Sequence, residues 1–164
     1  MASTPTDEPA GSSAPSMAPT AVDDPLLTAE LVDVRTGETF TLAELAADGP
    51  VIVETMAIWC TNCTSQMNEV TAAHELADFQ SVSIDVDPTE IDEDLVAYAA
   101  REGFDWPFVL ADAELATLLR DRFGTAVLNP PGMPKLFIRT DGSVELLPLG
   151  ELLSADEIAA IIEG

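Results

Sequence analysis

Two cysteines lie three positions apart in the segment Trp59-Cys60-Thr61-Asn62-Cys63, and the chain has no others. A pair with this spacing can alternate between a dithiol and a disulfide, and can thereby exchange electrons with the thiols of another molecule. The same spacing also occurs in half of a zinc site and in inert structural disulfides. The residues around the pair must decide between these three chemistries.

The elements predicted on either side of the pair favour redox chemistry. The apolar run at residues 51–58 is typical of a buried strand, and residues 64–79 are compatible with a helix. A strand that leads directly into a helix places the first sulfur near unpaired backbone N–H groups and the positive end of the helix dipole. Both stabilise a thiolate, so Cys60 is predicted to be the attacking thiolate. We expect Cys60 to be the more exposed of the pair and Cys63 to be the buried resolving thiol.

The two other interpretations of the pair are weaker. A closed zinc site needs four ligands, and the only histidine, His74, stands eleven residues after Cys63. On one continuous helix that separation is roughly 16 Å along the axis. A structural disulfide between Cys60 and Cys63 would close a very short loop and add little stability. We therefore predict no metal site, and we expect His74 on the helix surface and Met67 in the core.

The charge balance limits the possible partners. The chain has 30 acidic and 6 basic residues, which gives a formal net charge of -24. Nucleic acid and anionic membrane surfaces would be repelled by it. Acids scattered over a surface keep it hydrated in concentrated salt, which favours a halophilic source over an ordinary acidic protein. The acidic residues between positions 85 and 94 lack the spacing of a calcium loop and are interpreted as a solvated face.

The 164 residues predict one domain, residues 26–164, preceded by a tail. Residues 1–25 are rich in Pro, Ser, Thr and Ala, which is typical of a linker or a disordered segment. The tail is either a spacer to a membrane anchor or a dispensable end. No apolar run approaches the length of a membrane-spanning helix, and no leader pattern of basic and then apolar residues is present.

Turn and capping signals divide the domain into strands and helices. Capping boxes at Thr41-Leu42-Ala43-Glu44 and Ser154-Ala155-Asp156-Glu157 each predict the start of a helix. The other predicted elements are a hairpin at 31–40, strands at 51–57 and 82–86, helices at 93–102 and 112–123, an extended piece at 107–110 and a hairpin at 135–147. Strands that alternate with helices predict an α/β fold, with a central mixed sheet flanked by helices on both faces.

These motifs, in this order, resemble the thioredoxin superfamily, and in particular its extracytoplasmic TlpA/ResA-like branch. The resemblance covers about residues 28–163. It rests on the strand and CxxC at residues 53–63, on Gly132-Met133-Pro134-Lys135-Leu136-Phe137 as the cis-proline loop with its strand, on the Asp141-Gly142 turn and on Gly150. It implies a thioredoxin-like fold with an N-terminal hairpin and with an inserted helix and strand between residues 86 and 110.

The resemblance also implies roles for individual residues. Glu54 takes the place of the buried acid beneath the CxxC, where burial raises its pKa and allows it to accept the proton of Cys63. A strand glutamate that points to solvent is the alternative for Glu54. The lysine that often accompanies this acid is missing at Ser81, and Lys135 is expected to point away from the site.

Three further residues are expected to form the substrate-binding surface. Trp59 resembles the tryptophan that covers the disulfide and lines the partner groove. Pro134 is expected to be cis and packed against the cysteines, because the resemblance places it in the cis-proline loop. The backbone of Met133 would then pair with an extended substrate.

The function implied is that of a protein-disulfide oxidoreductase outside the cytoplasm, with the cytoplasm as second choice. It would need no organic cofactor, and its partners would be protein thiols or disulfides and an upstream electron donor. The branch implies a reductant in a pathway such as cytochrome c maturation, reaching the membrane only through an N-terminal anchor, and we expect a monomer.

Two other activities stay open. Thiol peroxidases of the peroxiredoxin type share this fold, but the Pro-x-x-x-Thr/Ser-x-x-Cys setting of their reactive cysteine is absent around Cys60. A copper-handling module could bind its metal through Cys60 and Cys63. Such modules usually add a histidine near the proline, and residues 124–137 contain none.

Overall fold

The structure, a computed structural model, describes residues 23–164. The predicted linker at residues 1–25 therefore lies outside the described residues, except for its last three. Of those three, Asp24 accepts a hydrogen bond from Leu26 N at 3.0 Å and forms an ion pair with Arg122. Asp24 thus caps the first described helix and connects it to a helix about a hundred positions further along the chain.

The described residues form six helices, seven strands and two single 3₁₀ turns. The helices are α1 (Pro25–Thr28), α2 (Leu42–Asp48), α3 (Thr61–Ala73), α4 (Asp92–Glu102), α5 (Ala113–Phe123) and α6 (Ala155–Glu163). The strands are β1 (Leu31–Val32), β2 (Thr39–Phe40), β3 (Val51–Met56), β4 (Gln80–Asp85), β5 (Phe108–Leu110), β6 (Lys135–Ile138) and β7 (Val144–Leu146). The 3₁₀ turns are Thr125–Leu128 and Pro130–Gly132.

Five strands form a mixed sheet in the order β5-β4-β3-β6-β7. Strands β3, β4 and β5 are parallel to one another, whereas β6 and β7 run antiparallel to their neighbours. Strands β1 and β2 form a separate antiparallel hairpin before the sheet. The prediction of a mixed central sheet with an N-terminal hairpin and an inserted helix and strand is confirmed, with α4 and β5 as the insertion.

Alternating side chains of β3 divide the core into two layers. Ile52 and Met56 pack into the layer that contains α3, α4 and α6, whereas Val51 and Val53 pack into the layer that contains α1, α2 and α5. Because successive strand residues point to opposite faces, Glu54 belongs to the face covered by α3. Helices therefore cover both faces of the sheet, and the central strand is buried along its whole length.

Both predicted capping boxes are present in the structure, and two further helix ends are capped. Both capping boxes close reciprocally, and Asp112 Oδ1 accepts from Leu115 N at 2.8 Å at the start of α5. Gly103 ends α4 in the left-handed region at φ 81°. Helix α3 differs from its predicted limits: it begins at Thr61 because Cys60 is itself the N-cap, and it ends at Ala73.

Candidate redox site

Cys60 and Cys63 form a disulfide at the start of α3. Cys60 is the N-cap of the helix, and its Sγ accepts a hydrogen bond from Cys63 N at 3.1 Å. A turn leads into the cap, in which Cys60 N donates to Ala57 O at 3.1 Å. After reduction, the first sulfur of the pair would therefore face a backbone N–H at the positive end of the helix dipole.

The two cysteines are equally buried in the oxidised protein. Each cysteine is 3% exposed, so the expectation that Cys60 is the more exposed of the two is wrong. The 3₁₀ turn at residues 130–132 lies against the first turn of α3: Pro130 O is 3.2 Å from Cys63 Sγ, and Pro131 O accepts from Asn62 Nδ2 at 3.5 Å. A partner would have to approach a disulfide that the oxidised protein largely covers.

The Met133–Pro134 peptide bond is trans, and no residue from 23 to 164 follows a cis bond. The expectation of a cis Pro134 is therefore wrong. Met133 adopts a left-handed conformation at φ 50° and ψ 54° directly after the 3₁₀ turn, and this conformation directs the chain into β6. Its N–H donates to Pro130 O at 2.8 Å, and its carbonyl accepts from Lys135 Nζ at 2.7 Å. Both backbone groups of Met133 are thus engaged within the protein.

Glu54 lies in the layer beneath α3 and is 4% exposed. Its neighbours in register are Ser83 on β4 and Lys135 on β6. Its Oε1 has no hydrogen-bond partner among the described residues. Burial raises the pKa of Glu54 to about 8, although the charge of Lys135 acts in the opposite direction. The buried position expected for this acid is observed, and the solvent-facing alternative is excluded.

Lys135 is buried beside Glu54, which corrects the expectation that it points away from the site. It is 1% exposed, and its Nζ donates to Met133 O and, at 3.2 Å, to Glu151 O. Directly opposed residues of antiparallel strands project to the same face, so the register of β6 with β3 aligns Lys135 with Glu54. Burial lowers the pKa of Lys135, and the charge of Glu54 acts against that shift.

Ser81 does not occupy the place beside the buried acid that the sequence suggested. It pairs in register with Ile52, two residues before Glu54. Its hydroxyl lies 2.8 Å from His74 Nε2, and the His74 ring stacks on Phe79 with 4.0 Å between the centroids. His74 is therefore half-buried in an aromatic contact, and partial burial lowers its pKa. Met67 lies in the core, as predicted.

Trp59 stands immediately before the disulfide and is 55% exposed. Its indole Nε1 donates to Asp87 Oδ2 at 2.7 Å, which fixes the direction of the ring over the loop after β4. This large apolar group is the most exposed aromatic surface next to the cysteines. It can contact a partner that approaches the disulfide.

The sequence interpretation missed two carboxyl groups near the site. Asp85 and Glu90 belong to the run interpreted as a solvated face, yet Asp85 is fully buried and Glu90 is half-buried. Glu90 Oε1 accepts from Ile58 N at 2.9 Å, two residues before Cys60. The sequence did contain a signal for Asp85. Ser83 and Asp85 alternate with apolar Val82 and Ile84, which places Asp85 on the same face of β4 as Ser83.

No group of three or more His, Cys, Asp or Glu side chains within residues 23–164 is arranged to hold a metal ion. No helix in the same part of the chain combines the length and the apolar composition needed to cross a membrane.

No protein-family model matches the chain, and a search of curated proteins found no relative. Solved structures do match along most of its length. A thioredoxin-family thiol:disulfide interchange protein from Chlorobium tepidum aligns with a TM-score of 0.63 at 18% identity, over 93% of this chain and 97% of that one. The chain has the thioredoxin fold. The predicted resemblance is thereby confirmed at the level of the fold.

Two further structures with the thioredoxin fold are similar to this chain. A secreted disulfide oxidoreductase from Mycobacterium tuberculosis has a TM-score of 0.57 at 17% identity, over 85% of this chain and 98% of that one. A SCO1/SenC family lipoprotein from Bacillus anthracis has a TM-score of 0.63 at 19% identity, over 82% of this chain and 90% of that one. Within this fold, the disulfide of this chain lies at the N-terminus of the helix that follows the central strand β3.

Proposed function

We propose that the protein is a thiol–disulfide oxidoreductase that exchanges the Cys60–Cys63 disulfide with the thiols of protein partners. The observation that carries this proposal is the disulfide at the N-terminus of α3, above a buried acid, in a chain with the thioredoxin fold. The two sulfurs carry both electrons, so the reaction needs no organic cofactor.

In the reducing direction the exchange has two steps. The Cys60 thiolate attacks one sulfur of a partner disulfide, so that a mixed disulfide forms and the other partner sulfur leaves as a thiolate. The Cys63 thiolate then attacks Cys60 Sγ, which re-forms the intramolecular disulfide and releases the second partner thiol. The helix N-terminus favours the thiolate of Cys60, whereas Pro130 O can accept a hydrogen bond from the Cys63 thiol and so keeps it protonated until it attacks.

Glu54 is the group that receives the proton of Cys63. It lies on the face of the sheet that α3 covers, and its Oε1 has no partner among residues 23–164. A base is most effective when its pKa is near the working pH, and burial places the pKa of Glu54 at about 8. The positive charge of Lys135 favours the carboxylate form of Glu54, which is the form that accepts a proton.

The partner surface consists of Trp59 on one side of the disulfide and the Met133–Pro134 segment on the other. Trp59 offers exposed apolar area. Met133 O is held by Lys135 Nζ in this structure, so a strand-like substrate would have to replace that hydrogen bond in order to pair with it.

The exchange is proposed to run as a reduction outside the cytoplasm, in a pathway such as cytochrome c maturation. A secreted oxidoreductase and a lipoprotein among the similar structures support the location. The chain would act as a monomer, would be recharged by an upstream electron donor, and would be tethered through its N-terminal segment. Zinc, peroxide and copper chemistry are not proposed, because no observed feature of the site favours them.

The reduction potential of the Cys60–Cys63 pair tests the direction of exchange. It is measured by equilibrating the protein in high salt against defined thiol–disulfide buffers. We expect a value near or below about −270 mV, as in thioredoxin, which would suit a reductase with an electron supply. A value of about −120 to −180 mV would make the protein an oxidant or isomerase. A pair that did not equilibrate with any buffer would refute the proposed function.

The role of Glu54 is tested by the lifetime of the mixed disulfide. In Glu54→Gln we expect the attack of Cys63 to slow by roughly 10²-fold or more, the usual contribution of a positioned base. Stopped-flow release of a chromogenic thiol after mixed-disulfide formation measures this step. Glu114→Gln is the matched control, because Glu114 is exposed and lies on α5, which packs in the other core layer from α3. Unchanged release in Glu54→Gln would remove Glu54 from the mechanism.

A further inference from the structure

A second buried carboxyl group lies near the site and has no role in the mechanism above. Asp85 ends β4 and is 0% exposed. Its Oδ1 accepts from Asp87 N at 3.0 Å, whereas its Oδ2 has no hydrogen-bond donor among the described residues. Glu90, on the loop that follows β4, forms a side-chain hydrogen bond with Asp85 that contributes to the raised pKa of Asp85. Two carboxyl groups in contact can hydrogen-bond only if one of them carries a proton.

Glu90 connects this pair to the turn that carries the attacking cysteine. Its Oε1 accepts from Ile58 N at 2.9 Å, while Asp87 on the same loop accepts from the indole of Trp59. The loop between β4 and α4 therefore holds both residues that precede Cys60. Any displacement of Glu90 would release one of the two hydrogen bonds that fix this turn to the rest of the domain.

The surroundings of the pair offer no positive charge. The charged groups that act on Asp85 are Glu90 and Asp87, both acidic. In register on the neighbouring strands are the uncharged Met56 and Leu110. Helix α4, which begins after the loop, carries only acids in its first turn, and none of the ion pairs of the described residues includes Asp85 or Glu90. Two carboxylates would therefore repel each other without compensation.

We propose that Asp85 and Glu90 share one proton, and that this proton keeps Glu90 against Ile58 N and so fixes the turn that carries Trp59 and Cys60. The inference deepens the proposed function, on which it rests, because it adds a pH-dependent positioning residue to the same site. When the proton leaves for solvent, the two carboxylates repel. Asp85 is fixed in the sheet, so the half-buried Glu90 moves to water and Ile58 N–H loses its acceptor.

The direction of the pH effect follows from burial. Burial, the hydrogen bond that the protonated Asp85 donates to Glu90 and the charge of Glu90 together raise the pKa of Asp85 to about 8. The shared proton is therefore present at neutral pH and is lost as the pH rises through this value. The turn is fixed below the transition and released above it.

Fluorescence of Trp59 in the oxidised protein tests the switch without any exchange reaction, and the disulfide contributes no titrating thiol. In the wild type we expect a step in emission between pH 6 and 10, with a midpoint near 8. The step should vanish in Trp59→Phe, which assigns it to the exposed indole. Glu54 also has a pKa of about 8, so Glu54→Gln is the control that must retain the step.

Substitutions in the pair give the decisive result. In Glu90→Gln the amide oxygen can still accept from Ile58 N, and its NH₂ can donate to Asp85, so the step should vanish while the low-pH emission persists. Asp85→Asn should behave in the same way and provides a second variant if one of them fails to fold. Glu90→Ala should show the high-pH emission at every pH. A wild type without a step, or a step that persists in a folded Glu90→Gln or Asp85→Asn, would overturn the proposal.

Exchange with glutathione disulfide separates this inference from the proposed function. At pH 7 we expect the reduced Glu90→Ala variant to react roughly tenfold more slowly than the wild type, because the attacking sulfur is no longer positioned. Glu90→Gln should stay within about twofold of the wild type, since it keeps the acceptor for Ile58 N. Equal rates in all three proteins would refute the positioning role. A wild type that does not react at any pH would refute the proposed function. The fluorescence step would then still test whether Asp85 and Glu90 share a proton.

Discussion

An acidic and a basic side chain share one buried face of the sheet without forming a direct hydrogen bond to each other. Glu54 and Lys135 oppose each other in register, but Lys135 Nζ donates to two backbone carbonyl groups instead. Because these carbonyls stabilise the ammonium group, Lys135 can remain charged at a buried position. Glu54 has no such support for its charged form, since its Oε1 is unpartnered within the described residues. The asymmetry explains why burial dominates the pKa of Glu54.

The raised pKa of Glu54 predicts that the folded protein loses stability as the pH rises. The ordinary pKa is 4.5 and the folded value is about 8, so between these values the folded state holds a proton that the unfolded chain releases. The stabilising contribution is complete below about pH 4.5 and is lost as the pH passes 8. A pKa shift of this size corresponds to a contribution of at most about 5 kcal/mol to the free energy of unfolding.

Glu54→Gln isolates this contribution. Asp85 contributes a decrease of the same sign, so the useful quantity is the difference in unfolding free energy between wild type and variant. We expect the unfolding free energy of the variant, relative to that of the wild type, to increase from pH 5 to pH 8. Urea denaturation of the oxidised proteins measures this difference. Glu114→Gln, which changes an exposed acid, should show no such gain. A constant difference at both pH values would contradict the assignment.

At the scale of elements, local sequence signals predicted where helices begin, whereas contacts between elements could not be predicted. Thr41 and Ser154 cap their helices by hydrogen bonds within four residues, so the chemistry is fully contained in the local sequence. The orientation of Lys135 depends on the register of β6 with β3, which is about eighty positions away in the chain. The trans bond at Pro134 could not be predicted locally either, because both isomers are possible for a bond that precedes proline.

The same distinction holds within the candidate site. The cysteine pair, Glu54 and Trp59 were found because motif spacing and the resemblance identify positions in the chain. Asp85 and Glu90 were missed because a dense acidic run is usually solvated. Asp85, the first residue of that run, differs from the rest because it continues the alternation of β4 and is buried with that strand.

The side chain of Gln66 joins helix α3 to the segment before α6. Gln66 Oε1 accepts from Leu153 N and Gln66 Nε2 donates to Leu153 O, both at 2.8 Å and both buried. We expect Gln66→Leu to lower the unfolding free energy by about 2–4 kcal/mol, because it leaves two backbone groups buried without partners. Urea denaturation at pH 7 measures the loss. Asn68→Ala, an exposed change on the same helix, should stay within about 0.5 kcal/mol, and an equally small effect in Gln66→Leu would refute the connection.

At the scale of the whole molecule, every positive side chain is already engaged. The five arginines each form an ion pair with an acid, and the one lysine is buried. With 30 acidic residues in the chain, most carboxylates have no cation beside them. Their mutual repulsion opposes the compact state, and this effect extends over the Debye length of about 10 Å at 0.1 M salt.

This excess charge predicts that salt stabilises the protein. We expect the Tm of the oxidised protein at pH 7 to rise from 0.1 to 2 M NaCl, because the Debye length falls to about 3 Å by 1 M and the carboxylates cease to repel one another. The control is the same salt series near pH 4.1, the isoelectric point, where little net charge is left to screen and the rise should be much smaller. Equal rises at both pH values would assign the effect to apolar burial instead of charge. A flat or falling Tm at pH 7 would contradict the halophilic hypothesis, since the acidic surface would then give no advantage in concentrated salt.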